Sequence, residues 1–244
     1  MIYGWRPDTP DQRDHKLQLV AVSKYPDSYD MRPQDTPIKN QGELGSCTGN
    51  AIAGSLAFEN KQAGKPALDP SRLFIYYNER VMEGTVKQDA GAMIRDGIKS
   101  VASQGVCDES LWPYDISKFT KKPLAKCYKA ALKHKAISYA RVPQTEAALK
   151  TVLSSGSPIV FGFSVYESFE SQYVAQTGKM SMPGKAEKLL GGHAVLMIGY
   201  TPDYYIVRNS WGEEWGDKGY FYMPKDYPIN NDLADDFWVV TAVS

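Results

Sequence analysis

The chain has 244 residues, 43% hydrophobic and 23% charged, an ordinary globular composition that allows one or two domains and a sizeable core. Lysine plus arginine and aspartate plus glutamate both total 28, so no charge excess points to nucleic acid or an anionic membrane as a partner. No apolar run reaches the ~18–20 residues of a membrane-spanning helix.

Residues 1–24 are charge-rich and poor in periodicity, with Arg6, Asp8, Asp11, Arg13 and Asp14, and read as an extension on the main body or loosely attached to it. Residues 1–10 lack the basic and apolar stretches of a secretory signal, leaving secreted and cytoplasmic locations both open. Residues 25–44 hold Pro26, Pro33, Pro37 and Gly42 and read as extended chain with turns. A helix is expected over 46–63, with Ser46 as N-cap, an apolar stripe through Ile52, Ala53, Leu56 and Ala57, and Gly64 as its stop. Further helices are expected over 71–83, 92–104 and 145–154. The period then changes: 158–165, 193–200, 204–209, 219–223 and 237–243 are β-branched and aromatic runs bounded by Gly, Pro and Asp. This order predicts an α+β protein with a mainly helical lobe over 25–140 and a mainly β lobe over 141–244. A cleft between them is the expected place for a site.

Gln41-Gly42-Glu43-Leu44-Gly45-Ser46-Cys47 leads straight into the first helix. A thiol there faces unpaired backbone N–H groups and the positive end of the helix dipole, which favour the thiolate. The glycines allow a tight turn beside a substrate carbonyl, and the Gln41 amide can return to donate to an oxyanion. Alone, Cys47 could equally be a buried structural cysteine. A nucleophilic cysteine needs a base, and the histidines are His15, His134 and His193. His15 lies in the unpatterned N-terminal stretch and His134 between two lysines. His193 follows Gly191-Gly192 and opens an apolar strand, which suits a rim approached by substrate backbone, although a core histidine would look similar. Asn209, before Ser210-Trp211-Gly212, could accept a hydrogen bond from the imidazole and fix its tautomer, with Trp211 shielding that bond. The bland reading of that segment is a turn with a buried aromatic. Cys107 and Cys127 read either as one internal disulfide or as two reduced thiols, so the redox compartment stays open. The cysteines and histidines show no zinc-like spacing, and no metal or cofactor is expected.

Together these blocks resemble the papain family of cysteine peptidases: Asn40-Gln41-Gly42 with Gly45-Ser46-Cys47, Gly192-His193-Ala194-Val195, and Arg208-Asn209-Ser210-Trp211-Gly212 through Gly219-Tyr220. The 146-residue separation of Cys47 and His193 falls in that family's range. The resemblance begins near Tyr25 and includes Trp112-Pro113-Tyr114 and Phe169. It implies a papain-like two-lobed fold, with a helical left lobe and a β-barrel-like right lobe, and a peptidase acting on polypeptide substrates, endopeptidase by default. It implies catalytic roles for Cys47, His193, Asn209 and Gln41, and substrate contacts from Gly91, Ala92, Ile94, Gly162, Gly192 and Trp211. The same alignment brings Asp235 toward the floor of the S2 pocket, where a basic P2 side chain would then be tolerated, against the plainer reading of a solvated acidic loop. By the same resemblance, residues 1–24 are either a short inhibitory pro-segment or a stabilising strap. Leu44 in place of a cysteine, Thr48 in place of an aromatic, and Gly192 before the histidine resemble the divergent bacterial or viral branch. The rival functions are a peptide-binding module without chemistry and a related Cys–His acyltransferase. A binder needs none of the four catalytic residues, and Asn209 in place of an Asp favours the peptidase. A monomer is the default oligomeric state.

Overall fold

The computed structural model describes residues 2–18 and 25–243. Its longest helix, α1 (Cys47–Gln62), is buried around nearly its whole circumference. Small residues make this possible: at Gly49 a Cβ would come 2.8 Å from the Arg72 carbonyl, so only glycine admits the neighbouring helix. That neighbour, α2 (Arg72–Met82), is capped by the Ser71 hydroxyl, which accepts from the Phe74 N–H. Helix α3 (Ile94–Gln104) packs on both and ends at Gly105, whose φ of 80° lies in the left-handed region. Two short helices, α4 (Ala125–Ala131) and α6 (Gln172–Thr177), were not expected, while α5 (Glu146–Ser154) forms within its predicted range and is capped by the Thr145 hydroxyl, which accepts from the Ala148 N–H. Ser46 does precede α1, but its hydroxyl bonds Tyr114 and Asn50 and caps no N–H.

Among the described residues, seven antiparallel strands form one sheet: β1 (Tyr29–Asp30), β2 (Ala136–Arg141), β3 (Ile159–Tyr166), β4 (Leu189–Tyr200), β5 (Tyr204–Arg208), β6 (Tyr220–Pro224) and β7 (Ala234–Val243). They run in the order β2–β7–β3–β4–β5–β6, with β1 pairing with β4 as well. Buried aromatics fill its interior, with Phe163 in contact with Phe169, Phe221 and Tyr227. Strand β4 starts before His193 because Leu189, Gly191 and Gly192 pair with Tyr166, Val165 and Ser164 of β3. Cross-strand pairing overrides the low strand preference of the two glycines. Strand β7 likewise extends back through Asp235 and Asp236, the latter at φ 58° beside a register shift.

Helix α1 is the seam of the molecule, facing α2 and α3 on one side and β3, β4 and β7 on the other. The segment ahead of it is fastened to the sheet by Arg208, whose guanidinium donates to Asp35 Oδ1 at 2.6 Å and to the carbonyls of Thr36 and Pro37 at 2.7 and 2.6 Å. These charge-assisted bonds fix the path of residues 35–41 across the end of β5. Gln41 N–H then donates to the Ser210 carbonyl at 2.8 Å, and Gly212 N–H to the Lys39 carbonyl at 3.1 Å. Two stretches far apart in sequence thus meet at one edge of the cleft. Cys107 and Cys127 are free, buried thiols hydrogen-bonded to each other. No helix among the described residues is long and apolar enough to cross a membrane.

Candidate active site

Cys47 opens α1, and its sulfur receives the backbone N–H groups of Ala194, Gly4 and Thr48. The Thr48 N–H belongs to the first turn of α1, where helical N–H groups lack partners. The Ala194 N–H belongs to β4, the strand that carries His193. His193 Nε2 and Asn209 Oδ1 are 2.8 Å apart. The same oxygen accepts from the Ser210 N–H at 2.9 Å, which identifies it as the acceptor and gives Nε2 the proton. Nδ1 then keeps its lone pair, and it has no hydrogen-bond partner among the described residues. Trp211 stacks on the imidazole with ring centres 5.0 Å apart and planes at 28°, covering the bond to Asn209. The Gln41 side chain is fixed by Ser210, whose hydroxyl donates to Oε1 at 2.7 Å. Its Nε2 donates to the Leu44 carbonyl at 2.9 Å and to the Ile2 carbonyl at 3.3 Å.

The Ile2 carbonyl belongs to the N-terminal segment, which lies in the groove between the helices and the sheet. Tyr3 sits against His193 and Trp211, with ring centres 6.0 and 6.3 Å apart. The Gly4 carbonyl accepts from the Ala92 N–H at 2.7 Å, and the Arg6 N–H donates to the Ala92 carbonyl at 3.0 Å. From the opposite wall, the Gly192 carbonyl accepts from the Trp5 N–H at 2.9 Å. The Trp5 ring packs where Cβ atoms at Gly162 and Gly192 would stand, 2.0 and 2.6 Å from ring carbons. Gly91, at φ 67°, is equally constrained, because a Cβ there would lie 2.1 Å from the Gly4 carbonyl oxygen. Ile94 is fully buried at the start of α3, two residues past Ala92. Gly91, Ala92, Gly162, Gly192 and Trp211 thus surround a peptide supplied by the chain itself.

The residue that bonds the Trp5 indole is Asp236, not Asp235. Trp5 Nε1 donates to Asp236 Oδ2 at 3.1 Å, while Asp235 is exposed. Asp236 takes a left-handed conformation at φ 58° and is buried, as are Ala234 and Trp238 two residues to either side. Asp236 also accepts from the Asp8 N–H and pairs with Arg141, which in turn pairs with Asp8 and Asp14. Asp8 accepts from Trp238 Nε1 and the Arg95 N–H, each near 3 Å. Burial and the neighbouring Asp236 carboxylate nevertheless push Asp8 up to about 7. Sequence patterning does not single out Tyr3 or Trp5, and the solvated-loop reading does not hold for Asp236, which is buried. The available signal for the first two was an aromatic pair flanking Gly4 within an otherwise charged segment. The expected extension over 1–24 also covers Met1 and residues 19–24, which lie outside the described residues.

This cover changes the electrostatics expected at the helix start. Cys47 is fully buried, and burial pushes its thiol up to about 12 in spite of the three N–H groups. Burial likewise lowers His193 to about 4, opposed by its bond to Asn209. In the covered state burial thus works against both the thiolate and the imidazolium, opposing the dipole of α1. A cavity of about 580 Å³ lies on the far side of α1 between Ala53, Ala57, Leu68 and Arg208. The groove itself is filled.

The sequence description "papain family cysteine protease" matches residues 25–237. The chain belongs to the papain family of cysteine proteases. An uncharacterized peptidase C1-like protein of Acanthamoeba polyphaga mimivirus is 43% identical over 99% of this chain and 87% of its own length. The crystal structure of xylellain, a cysteine protease from Xylella fastidiosa, shares 43% identity and a TM-score of 0.93, covering 99% of this chain and 96% of that one. A digestive cysteine proteinase of Homarus americanus is 30% identical over 82% of this chain, which spans 62% of that relative's length. The fold is therefore papain-like, an α+β arrangement of helices and antiparallel sheet, and the chain is a hydrolase of the cysteine-protease type. Viral and bacterial relatives agree with the branch read from Leu44, Thr48 and Gly192.

Proposed function

We propose that this protease cleaves internal peptide bonds through a thioester on Cys47, and that its N-terminal segment restrains it, the full chain labelling and turning over only through the fraction of molecules whose groove is open. The observation that carries the catalytic reading is the Asn209–His193 hydrogen bond under Trp211, on the strand whose Ala194 N–H reaches the Cys47 sulfur. Once the groove is open to water, the His193 Nδ1 lone pair takes the thiol proton. The sulfur adds to the scissile carbonyl carbon, and the oxyanion forms beside Gln41 Nε2 and the Cys47 N–H. The imidazolium returns its proton to the leaving nitrogen as the C–N bond breaks. A water deprotonated by the same imidazole then hydrolyses the thioester.

Endopeptidase action is supported by the path of the N-terminal segment, which passes Cys47 with chain on both sides, from Tyr3 beside Trp211 to Trp5 and Asp8. An inhibitory role is supported by its use of Ala92, Gly192 and the Gln41 amide, the groups that a substrate backbone would use. The pocket around Gly162 and Gly192 takes a large side chain, and Asp236 at its base favours one that carries a donor: tryptophan, arginine or lysine.

The test is turnover of a positional-scanning peptide library, together with labelling by an epoxysuccinyl probe. Wild type should label at Cys47 and favour donor-bearing P2 residues. Cys47→Ala should neither label nor turn over, and Asp236→Ala should lose the basic-P2 preference. Labelling that persists in Cys47→Ala would refute the nucleophile, and an unchanged P2 profile would refute the role of Asp236.

A further inference from the structure

Glu79 of α2 is fully buried, and the reaction above makes no use of it. Its Oε1 accepts from the hydroxyl of Thr48, the residue that follows Cys47. Its Oε2 has no hydrogen-bond partner among the described residues. That oxygen would be 2.4 Å from a Cβ at position 97, so Gly97 makes the space it occupies. A buried carboxylate with one unsatisfied oxygen is costly, whereas a protonated one is much less so. The charged and titratable groups facing it are Cys47 from α1, Tyr76 and Arg80 from α2, Asp96 from α3 and Arg6 from the N-terminal segment. Burial dominates and pushes Glu79 up to about 8, with Asp96 adding to the rise and Thr48, Arg80 and Arg6 opposing it.

We propose that Glu79 is a positioning residue that holds the first turn of the nucleophile helix through Thr48, and that loss of its proton depresses activity on the alkaline side of the profile. The inference rests on reading Cys47 as the nucleophile. With Glu79 neutral, the N–H groups at the start of α1 act on the thiolate unopposed. Once Glu79 ionises, two negative charges share the first turn of α1, and the thiolate is disfavoured. The Thr48 hydroxyl, standing where related peptidases carry an aromatic, supplies the contact that couples the two.

The experiment compares kcat/KM against pH for the full chain, Glu79→Gln and Thr48→Val. Glutamine keeps an acceptor for Thr48 and cannot ionise, so its alkaline midpoint should rise by about one unit. Thr48→Val removes a donor that favours the ionised carboxylate, so its midpoint should also move up, by about half a unit. Superimposable alkaline limbs overturn the proposal. If Glu79→Gln does not fold, Thr48→Val decides the matter alone. A ¹³C titration of the Glu79 carboxyl carbon in the full chain gives a readout independent of turnover. A midpoint near about 8 is expected, and one in the ordinary range near ~4.3 overturns the proposal even if Cys47 is the nucleophile.

Discussion

His193→Ala should lower kcat on a peptide substrate by about 10⁴-fold or more while leaving KM nearly unchanged, since nucleophile and base act as one unit and losing either costs nearly the whole effect. His15 packs on Tyr139 at β2, away from Cys47, and Nδ1 of His193 is the lone pair that the Asn209 bond leaves free. Asn209 fixes the ring without adding a charge that would neutralise the imidazolium, so Asn209→Ala should cost less than His193→Ala. Steady-state kinetics on both variants check this ordering. A His193→Ala enzyme within tenfold of wild type would remove the imidazole from the reaction.

Trp5→Ala should increase the rate at which the epoxysuccinyl probe reaches Cys47 in the full chain by about 10²-fold or more. A buried tryptophan truncated to alanine loses roughly 3–5 kcal/mol, and each 1.4 kcal/mol is tenfold in an equilibrium. Here that loss falls on the covered state alone, because Trp5 fills the space over Gly162 and Gly192 and donates to Asp236. The acidic and basic network of Asp8, Asp14, Arg95 and Arg141 would still fasten the rest of the segment, so the variant stays folded with its groove open. Time courses of labelling followed by mass spectrometry measure the change. An unaltered rate would mean that the segment does not control access to the sulfur.

The sequence carried the site further than it carried the cover. Gln41, Cys47, His193 and Asn209 were legible because each sits at an element boundary marked by glycine or a change of period, and because the four blocks occur in one order. The main helices were legible from apolar periodicity and from stops such as Gly64, which does take a left-handed conformation just past α1. Strand β2 was missed because its six residues gain order only by pairing with β7. Asp236 was not separable from its neighbours because it sits in an acidic run with Asp232 and Asp235, and only the fold decides which of them is buried. The placement of Trp5 depends on two walls that come together only in the folded chain, so no local pattern announces it. The lowered acidity of the buried thiol follows from that placement, since a helix start alone predicts the opposite direction.

The most direct test is capture of the acyl intermediate. Wild-type chain mixed with an activated ester of a tryptophan- or arginine-containing peptide acid, then quenched in acid and digested, should yield one thioester-linked acyl group on the peptide that contains Cys47. An acyl group found on Cys107, Cys127 or a hydroxyl, with Cys47 unmodified while substrate is consumed, would contradict the account.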